Sequence, residues 1–249
     1  MRIFVIGDVH GCTEELRDLV SLADPQAGDR LVFVGDLVDK GPDSVGAVRM
    51  AAELLLRFPG STVVAGNHEE KAIRRHRQGK LELLEPWALD MTASDWAFLK
   101  TMPLMLTIDG PTPVRVVHGG LVPAYFASHE LPKSFPENWH SGGGKLMERA
   151  RRFLRVRQVD ADGDMLSLED AKPEDRHWST VYDGRAGLVV FGHDPQLSGQ
   201  PLVAPHAVGV DTAVVHGGRL TALVLQDGKR EFLSVPARRQ YAPPLHTAD

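Results

Sequence analysis

Several things are scarce in this chain. It has one cysteine, Cys12, in 249 residues. An internal disulfide is impossible, and a disulfide-stapled secreted scaffold is excluded. No apolar run approaches the ~20 residues that a membrane-spanning helix needs. The first residues reach Asp8 too early for a signal peptide, so cytoplasmic placement and no membrane partner are expected. Excess positive charge is lacking too. Lys and Arg number 28 against 33 Asp and Glu, a formal net charge of −5. That argues against a non-specific nucleic-acid binder. There is no low-complexity block and no fold-scale repeat. What stands out instead is histidine, eleven residues of it. Metal binding is one explanation.

Short apolar runs recur, each closed by glycine and a polar cluster. Arg2 to Ile6 runs into Gly7-Asp8-Val9-His10-Gly11, and Arg30 to Val34 into Gly35-Asp36-Leu37-Val38-Asp39. Ser61 to Ala65 runs into Gly66-Asn67-His68-Glu69, Val114 to Val117 into His118, and Leu188 to Phe191 into Gly192-His193-Asp194. Such runs fit buried strands. Helical patterns lie between the first three. One has Thr13 as N-cap and Leu16, Leu19, Val20 and Ala23 inward. A second is capped by Asp43 with Val45, Val48, Ala52, Leu55 and Leu56 inward. A third starts near His68. Alternating strands and helices predict parallel pairing by right-handed crossovers.

Past Leu104 a β-rich half with antiparallel strands is expected. Leu104–Ile108 pairs with Val114–Val117, and Ala207–Val215 with Arg219–Leu225 across a Gly217-Gly218 turn. The expected domain covers residues 1–235, with 121–157 as a cap or insert. A loosely ordered tail, 236–249, follows.

Strand C-terminal ends are where α/β folds place ligands. Here they carry Asp8, His10, Asp36, Asn67, His118 and His193. Asp8 and His10 are two apart, so an extended backbone turns both the same way. Carboxylate, imidazole and amide oxygen together suit manganese, iron or zinc, with no thiolate to favour a soft metal. Six ligands are too many for one ion. They suit two that share a carboxylate ~3.5–4 Å apart, the arrangement used for in-line phosphoryl displacement.

The five ordered motifs, spread over some 190 residues, resemble the calcineurin-like metallophosphoesterases, and within them the phosphoprotein phosphatase branch. Trp178 to Gly184, Gly192-His193, Val210-Asp211-Thr212 and Gly217 to Ala222 resemble the bacterial symmetrical diadenosine tetraphosphatases and related small bacterial phosphatases. So do Asn138-Trp139 and Arg155-Val156-Arg157. The resemblance implies an α/β fold, a four-layer α/β/β/α sandwich of mixed sheets with the dimetal site at strand ends. It implies that Asp8 and His10 hold one metal, Asp36 bridges, and Asn67, His118 and His193 hold the other. It implies two divalent ions, Mn2+ first, with Fe, Zn or Co as alternatives. A bridging hydroxide attacks phosphorus in line, His68 protonates the leaving oxygen, and Asp39 orients His68.

Lys40, Asn67, Arg157 and, as fallback, Arg155 would hold phosphate. Lys40 stands where much of the family has Arg, and a point charge loses the bidentate fork. Ala213 stands where the tetraphosphatase pattern has Gly, with no loss of metal binding expected. The implied substrate is a dinucleoside polyphosphate, chiefly diadenosine tetraphosphate cleaved to two ADP. The alternative is a phosphoprotein substrate for a Ser/Thr or Tyr phosphatase. Nucleic acid is not an expected partner, with capped RNA left open, as is the oligomeric state.

Plainer roles are expected for other residues. His216 repeats the string around His118 but falls after His193, out of motif order. His76, His129, His140, His177, His206 and His246 read as surface residues, and Cys12 as a small buried filler. Lys145–Arg157 carries a local charge of +5 on an amphipathic helix with Leu146, Met147, Ala150, Phe153 and Leu154 inward. Its basic face, with Arg149, Arg151 and Arg152, is a solvated surface or a polyphosphate-steering patch.

Overall fold

The structure, a computed structural model, describes residues 1–122, 139–141, 144–167 and 169–244. The irregular stretch 123–138, Gly142 and Gly143, His129, Asn138 and His246 lie outside the described residues. So do the side chains of Leu146, Met147, Arg149 and Arg151.

The first strands form as their apolar runs predict. Strands β1 (Ile3–Ile6), β2 (Arg30–Phe33) and β3 (Thr62–Val63) pair in parallel. Helices α1 (Thr13–Ala23), α2 (Ser44–Arg57) and α3 (Asn67–Arg77) follow them in turn. Two details differ from expectation. Thr13 opens α1 instead of capping it, and its hydroxyl donates to the Asp43 carbonyl. The inward face of α2 is Ala47, Val48, Ala51 and Leu54, while Leu56 is 84% exposed. The Asp43 cap is present, its carboxylate accepting from Gly46 N at 2.8 Å.

The second sheet contains β4 (Met105–Ile108), β5 (Val114–Val117), β8 (Leu188–Phe191), β9 (Leu202–Val203) and β10 (Ala207–Gly209). Between β5 and β8 lie helix α5 (Lys145–Arg155) and the two-stranded β6 (Gln158–Val159) and β7 (Arg176–His177). Helix α4 (Ala93–Lys100) precedes β4. The β4–β5 hairpin forms, and β5 and β10 flank β8 in parallel.

The second expected hairpin does not form. Strand β10 stays in the second sheet, whereas β11 (Arg219–Gln226) joins the first, antiparallel to β1. The turn at Gly217 carries the chain from one sheet to the other. The actual hairpin partner of β11 is β12 (Lys229–Pro236), paired over the full eight residues of each strand. The chain after Pro236, expected to be loose, is tied as far as Ala242. Tyr241 N and Ala242 N donate to Val215 O, and the Tyr241 hydroxyl donates to Glu15 at 2.7 Å.

The sheets are thus ordered β12-β11-β1-β2-β3 and β4-β5-β8-β10-β9. Alternate residues sort into two interiors. Ile3, Val5, Val32, Val116, Val190 and Leu223 fill the space between the sheets. Phe4, Ile6, Phe33, Val117, Val189 and Phe191 join the larger core with the helices. Period-2 alternation buried on both faces is the signature of strands inside a layered sandwich. The four expected layers are present. Strand ends from both sheets meet along one edge, and the polar motifs meet there with them.

Candidate metal centre and substrate cleft

Asp36 lies at the hub of the strand-end cluster. Its Oδ2 is 3.3 Å from His118 Nε2, 3.6 Å from His10 Nε2 and 3.9 Å from His68 Nε2. Two triads share it: His10, Asp36 and His68, and Asp36, His118 and His193. The second ring nitrogen of each partner is committed. His10 Nδ1–H donates to Val38 O, and His118 Nδ1–H donates to Val34 O, each at 2.9 Å. Those bonds leave Nε2 of each ring as an acceptor lone pair aimed inward, met on His10 by Lys40 Nζ. The His118 lone pair then faces Asn67 Oδ1 at 2.9 Å and Asp36 Oδ2 at 3.3 Å. Three acceptors that converge without a proton between them are matched by a cation.

Two further atoms make the same demand. Asp8 Oδ1 and His193 Nε2 are buried with no hydrogen-bond partner among the described residues. The other Asp8 oxygen accepts from His193 N at 3.0 Å, which joins the two sheets. A buried polar atom without a partner costs free energy, so its retention calls for a ligand. Burial and the neighbouring Asp211 and Asp36 push the Asp8 carboxyl well above the usual range. Burial would raise Asp36 as well, but the rings of His118, His68 and His10 hold it well below the usual range. Burial holds His10 neutral, lowered to about 3, and lowers His193 well below its ordinary value, with Arg157 adding to that. Neutral imidazole is the form that ligates metal. The donor set of carboxylate, imidazole and amide oxygen fits divalent ions.

The backbone is bent to make this possible. His10, Asp36, Asp39, Lys40 and His193 all adopt positive φ, between 45° and 70°. Such strain outside glycine gathers at functional sites. Two glycines are fixed by close approach. A Cβ on Gly192 would overlap Asp8 Oδ1, and one on Gly41 would overlap the His10 carbonyl. Ala213, the departure from the Gly of the pattern, also takes a left-handed φ of 63°.

His68 and Asp39 form a close pair, Nδ1 to Oδ2 at 2.6 Å. Burial would lower His68, but Asp36 and the hydrogen bond to Asp39 raise it above its ordinary value. Asp39 is itself held by Trp87 Nε1 at 2.8 Å, by Lys71 Nζ at 3.1 Å and, at its backbone, by Ser44 Oγ. Despite burial, these partners hold its carboxyl at about 2, with the His68 hydrogen bond foremost. Glu69, fully buried, accepts from Asp36 N, Leu37 N and Gly66 N at 2.8–2.9 Å. It locks the Asp36 loop to the start of α3.

A cavity of about 550 Å³ opens over this cluster. Asp36, Lys40, Asn67, His68, Arg155, Arg157 and His193 line it on the cluster side. Its other wall includes Gln158, Met165, Leu166, Ser167, Glu169 and Ala171. Both arginines named as phosphate candidates therefore reach the cleft. Lys40 lines it too, but its Nζ is 3.1 Å from His10 Nε2. That contact and a metal on the same lone pair exclude one another.

Several residues here escape sequence reasoning. Trp87 and Lys71 touch Asp39 from segments whose position only the tertiary fold sets. Asp211, buried beside Asp8, sits within a string that carried resemblance but no assigned role. His177 and His76, expected at the surface, are half-buried. His177 lies 3.6 Å from Asp194, and His76 stacks on Trp96 with centroids 4.2 Å apart. His216 Nδ1–H donates to Ala242 O, away from the cluster, and Cys12 is a buried filler with its thiol pushed up by burial.

Residues 1–197 match the calcineurin-like phosphoesterase family. The chain belongs to that family, and with it to the metal-dependent hydrolases that use a dimetal site. Among curated relatives it is 32% identical to "Bis(5'-nucleosyl)-tetraphosphatase, symmetrical" of Edwardsiella ictaluri, covering 96% of this chain and 97% of the relative. It is 28% identical to the asymmetrical bis(5'-nucleosyl)-tetraphosphatase PrpE of Oceanobacillus iheyensis, covering 97% and 94%. Among solved structures, a candidate diadenosine tetraphosphatase superposes with a TM-score of 0.72 at 29% identity, over 95% of this chain and 93% of that one. A cold-active protein-tyrosine phosphatase of a Shewanella species superposes at 0.63 with 15% identity, over 95% and 80%, which shows a shared fold. No helix among the described residues is long and apolar enough to cross a membrane.

Proposed function

We propose that the chain hydrolyses dinucleoside polyphosphates, chiefly diadenosine tetraphosphate to two ADP. The observation that carries this reading is the cleft: a convergent set of lone pairs opens into a cavity with three cationic side chains, facing a wall of mixed character. Met165, Leu166 and Ala171 offer apolar contact to a base, and Gln158 and Ser167 offer hydrogen bonds. A phosphoester site needs only the cationic end.

In this reading Asp8, His10 and Asp36 hold one divalent ion, and Asp36, Asn67, His118 and His193 the other, with Mn2+ first among the candidates. Bound there, the ions would lower the pKa of water and offset phosphate charge. The chain's own groups do the rest. Arg155, Arg157 and Lys40 hold phosphate oxygens, with the Asn67 amide beside them. His68, protonated through its pairing with Asp39, delivers a proton to the leaving phosphate oxygen. We further propose that residues 1–235 are the catalytic domain, with 121–157 as its cap. We also propose cytoplasmic placement, which a nucleotide substrate supports.

Chelator-treated protein is expected to be inactive on diadenosine tetraphosphate. Adding manganese should restore turnover, with ADP as the sole nucleotide product by chromatography. ATP and AMP in equal amounts would overturn symmetrical cleavage, and no turnover with any divalent metal would overturn the activity itself.

A further inference from the structure

The two cleft arginines are not free side chains. Arg155 ends α5, and Arg157 follows one extended residue, the fully buried Val156. That alternation turns both arginines to the cleft. Each meets a carboxylate from a different element. Arg155 Nη2 donates to Glu70 Oε2 at 2.7 Å. Arg157 Nε lies 3.1 Å from Asp194 Oδ1, and its Nη2 donates to His193 O at 2.9 Å. Glu70 is 2% exposed, and its other oxygen accepts from Arg74 Nε at 3.0 Å.

A guanidinium has five N–H donors in a fixed fork. These bonds use one edge of each. Arg155 Nη1 remains buried with no partner among the described residues. The arrangement orders two long side chains before any ligand arrives, which removes an ordering cost from binding. It also ties the clamp to the metal-candidate elements. Glu70 lies on α3, three residues after Asn67, and Asp194 follows His193 directly.

We infer that Glu70 and Asp194 are positioning residues that hold Arg155 and Arg157 in the geometry for adjacent phosphates. This rests on the polyphosphate reading above. They touch no reacting atom, and their effect passes through the arginines.

The test is a pair of double-mutant cycles read by calorimetric binding of ADP in manganese buffer, with manganese content measured in parallel. Glu70→Gln keeps the volume and an acceptor oxygen but removes the charge, and Asp194→Asn does the same. Each should weaken ADP binding about five- to tenfold, the scale of one ordinary hydrogen bond set loose. In an Arg155→Ala background Glu70→Gln should add nothing, and in an Arg157→Ala background neither should Asp194→Asn. KM for the tetraphosphate should rise by a similar factor while kcat moves less than KM. Equal penalties with and without the arginine would overturn the positioning role. So would unchanged ADP affinity, or a loss of affinity that tracks a loss of manganese. ADP effects as expected in a protein that does not cleave the tetraphosphate would leave the clamp standing and overturn only the activity.

Discussion

At the residue scale, the same side-chain types do different work according to what holds their second atom. His10 and His118 give Nδ1–H to backbone carbonyls and keep Nε2 as an acceptor, whereas His68 gives Nδ1 to a carboxylate. The first two suit a metal and the third suits a proton. His68→Ala should therefore retain two manganese ions per chain and lose roughly 10²–10⁴-fold in kcat. Elemental analysis beside steady-state kinetics checks this, and a rate near wild type would refute the acid role.

Asp39 makes a stability prediction as well. Its carboxyl is held at about 2 against an ordinary value of 3.8. A depressed native value means stability that is present above the unfolded value and lost as pH falls through the native one. Acid unfolding should therefore be steep between about pH 4 and 2. Asp39→Asn should flatten that part of the profile and cost about 2 kcal/mol at neutral pH. Denaturant titration across pH checks it, and an unchanged profile would count against the pairing.

At the element scale, the strand-end loops are the working parts, and they are built by close approach. Gly192 has no room for a side chain because Asp8 stands against it. Gly192→Ala should displace Asp8 and weaken manganese binding at least tenfold, while circular dichroism stays native. Undiminished metal affinity would show that Asp8 is not a ligand.

This is also the scale at which the sequence was most and least legible. The β1–α1–β2–α2–β3 unit was readable, since each apolar run stops at a glycine and each helix shows its stripe. The β10–β11 connection was not. Both strands are apolar, and Gly217-Gly218 is a good turn, so local signals favour a hairpin. Nothing local records that β11 finds β1, over 200 residues away, in the other sheet. On α2 the expected face is right at Val48, and Val45 and Leu55 pack partly on the core, but the core also takes the small Ala47 and Ala51 and leaves Leu56 out.

At the scale of the whole molecule, two sheets, the first closed by β11 and β12 from late in the chain, must pack face to face before the site exists. His118 from the second sheet hydrogen-bonds Val34 O of the first, and Asp8 of the first accepts from His193 N of the second. The six candidate ligands were legible because strand ends carry function in α/β folds. Trp87, Lys71, Glu70 and Asp194 were not, because they act on those residues only through the assembled fold. The net charge of −5 is reread in this light. Asp8 and Asp36 contribute to it and would attract the ions, while the cleft above them is walled by Lys40, Arg155 and Arg157.

The most direct test of the central claim compares kcat/KM of the manganese-loaded protein for diadenosine tetraphosphate with that for a phosphoserine peptide. A cleft with clamped arginines and a wall that offers a base both apolar contact and hydrogen bonds predicts a preference for the tetraphosphate of at least about 100-fold, equivalent to about 2.7 kcal/mol of transition-state binding. A ratio near one, or one that favours the peptide, would contradict it.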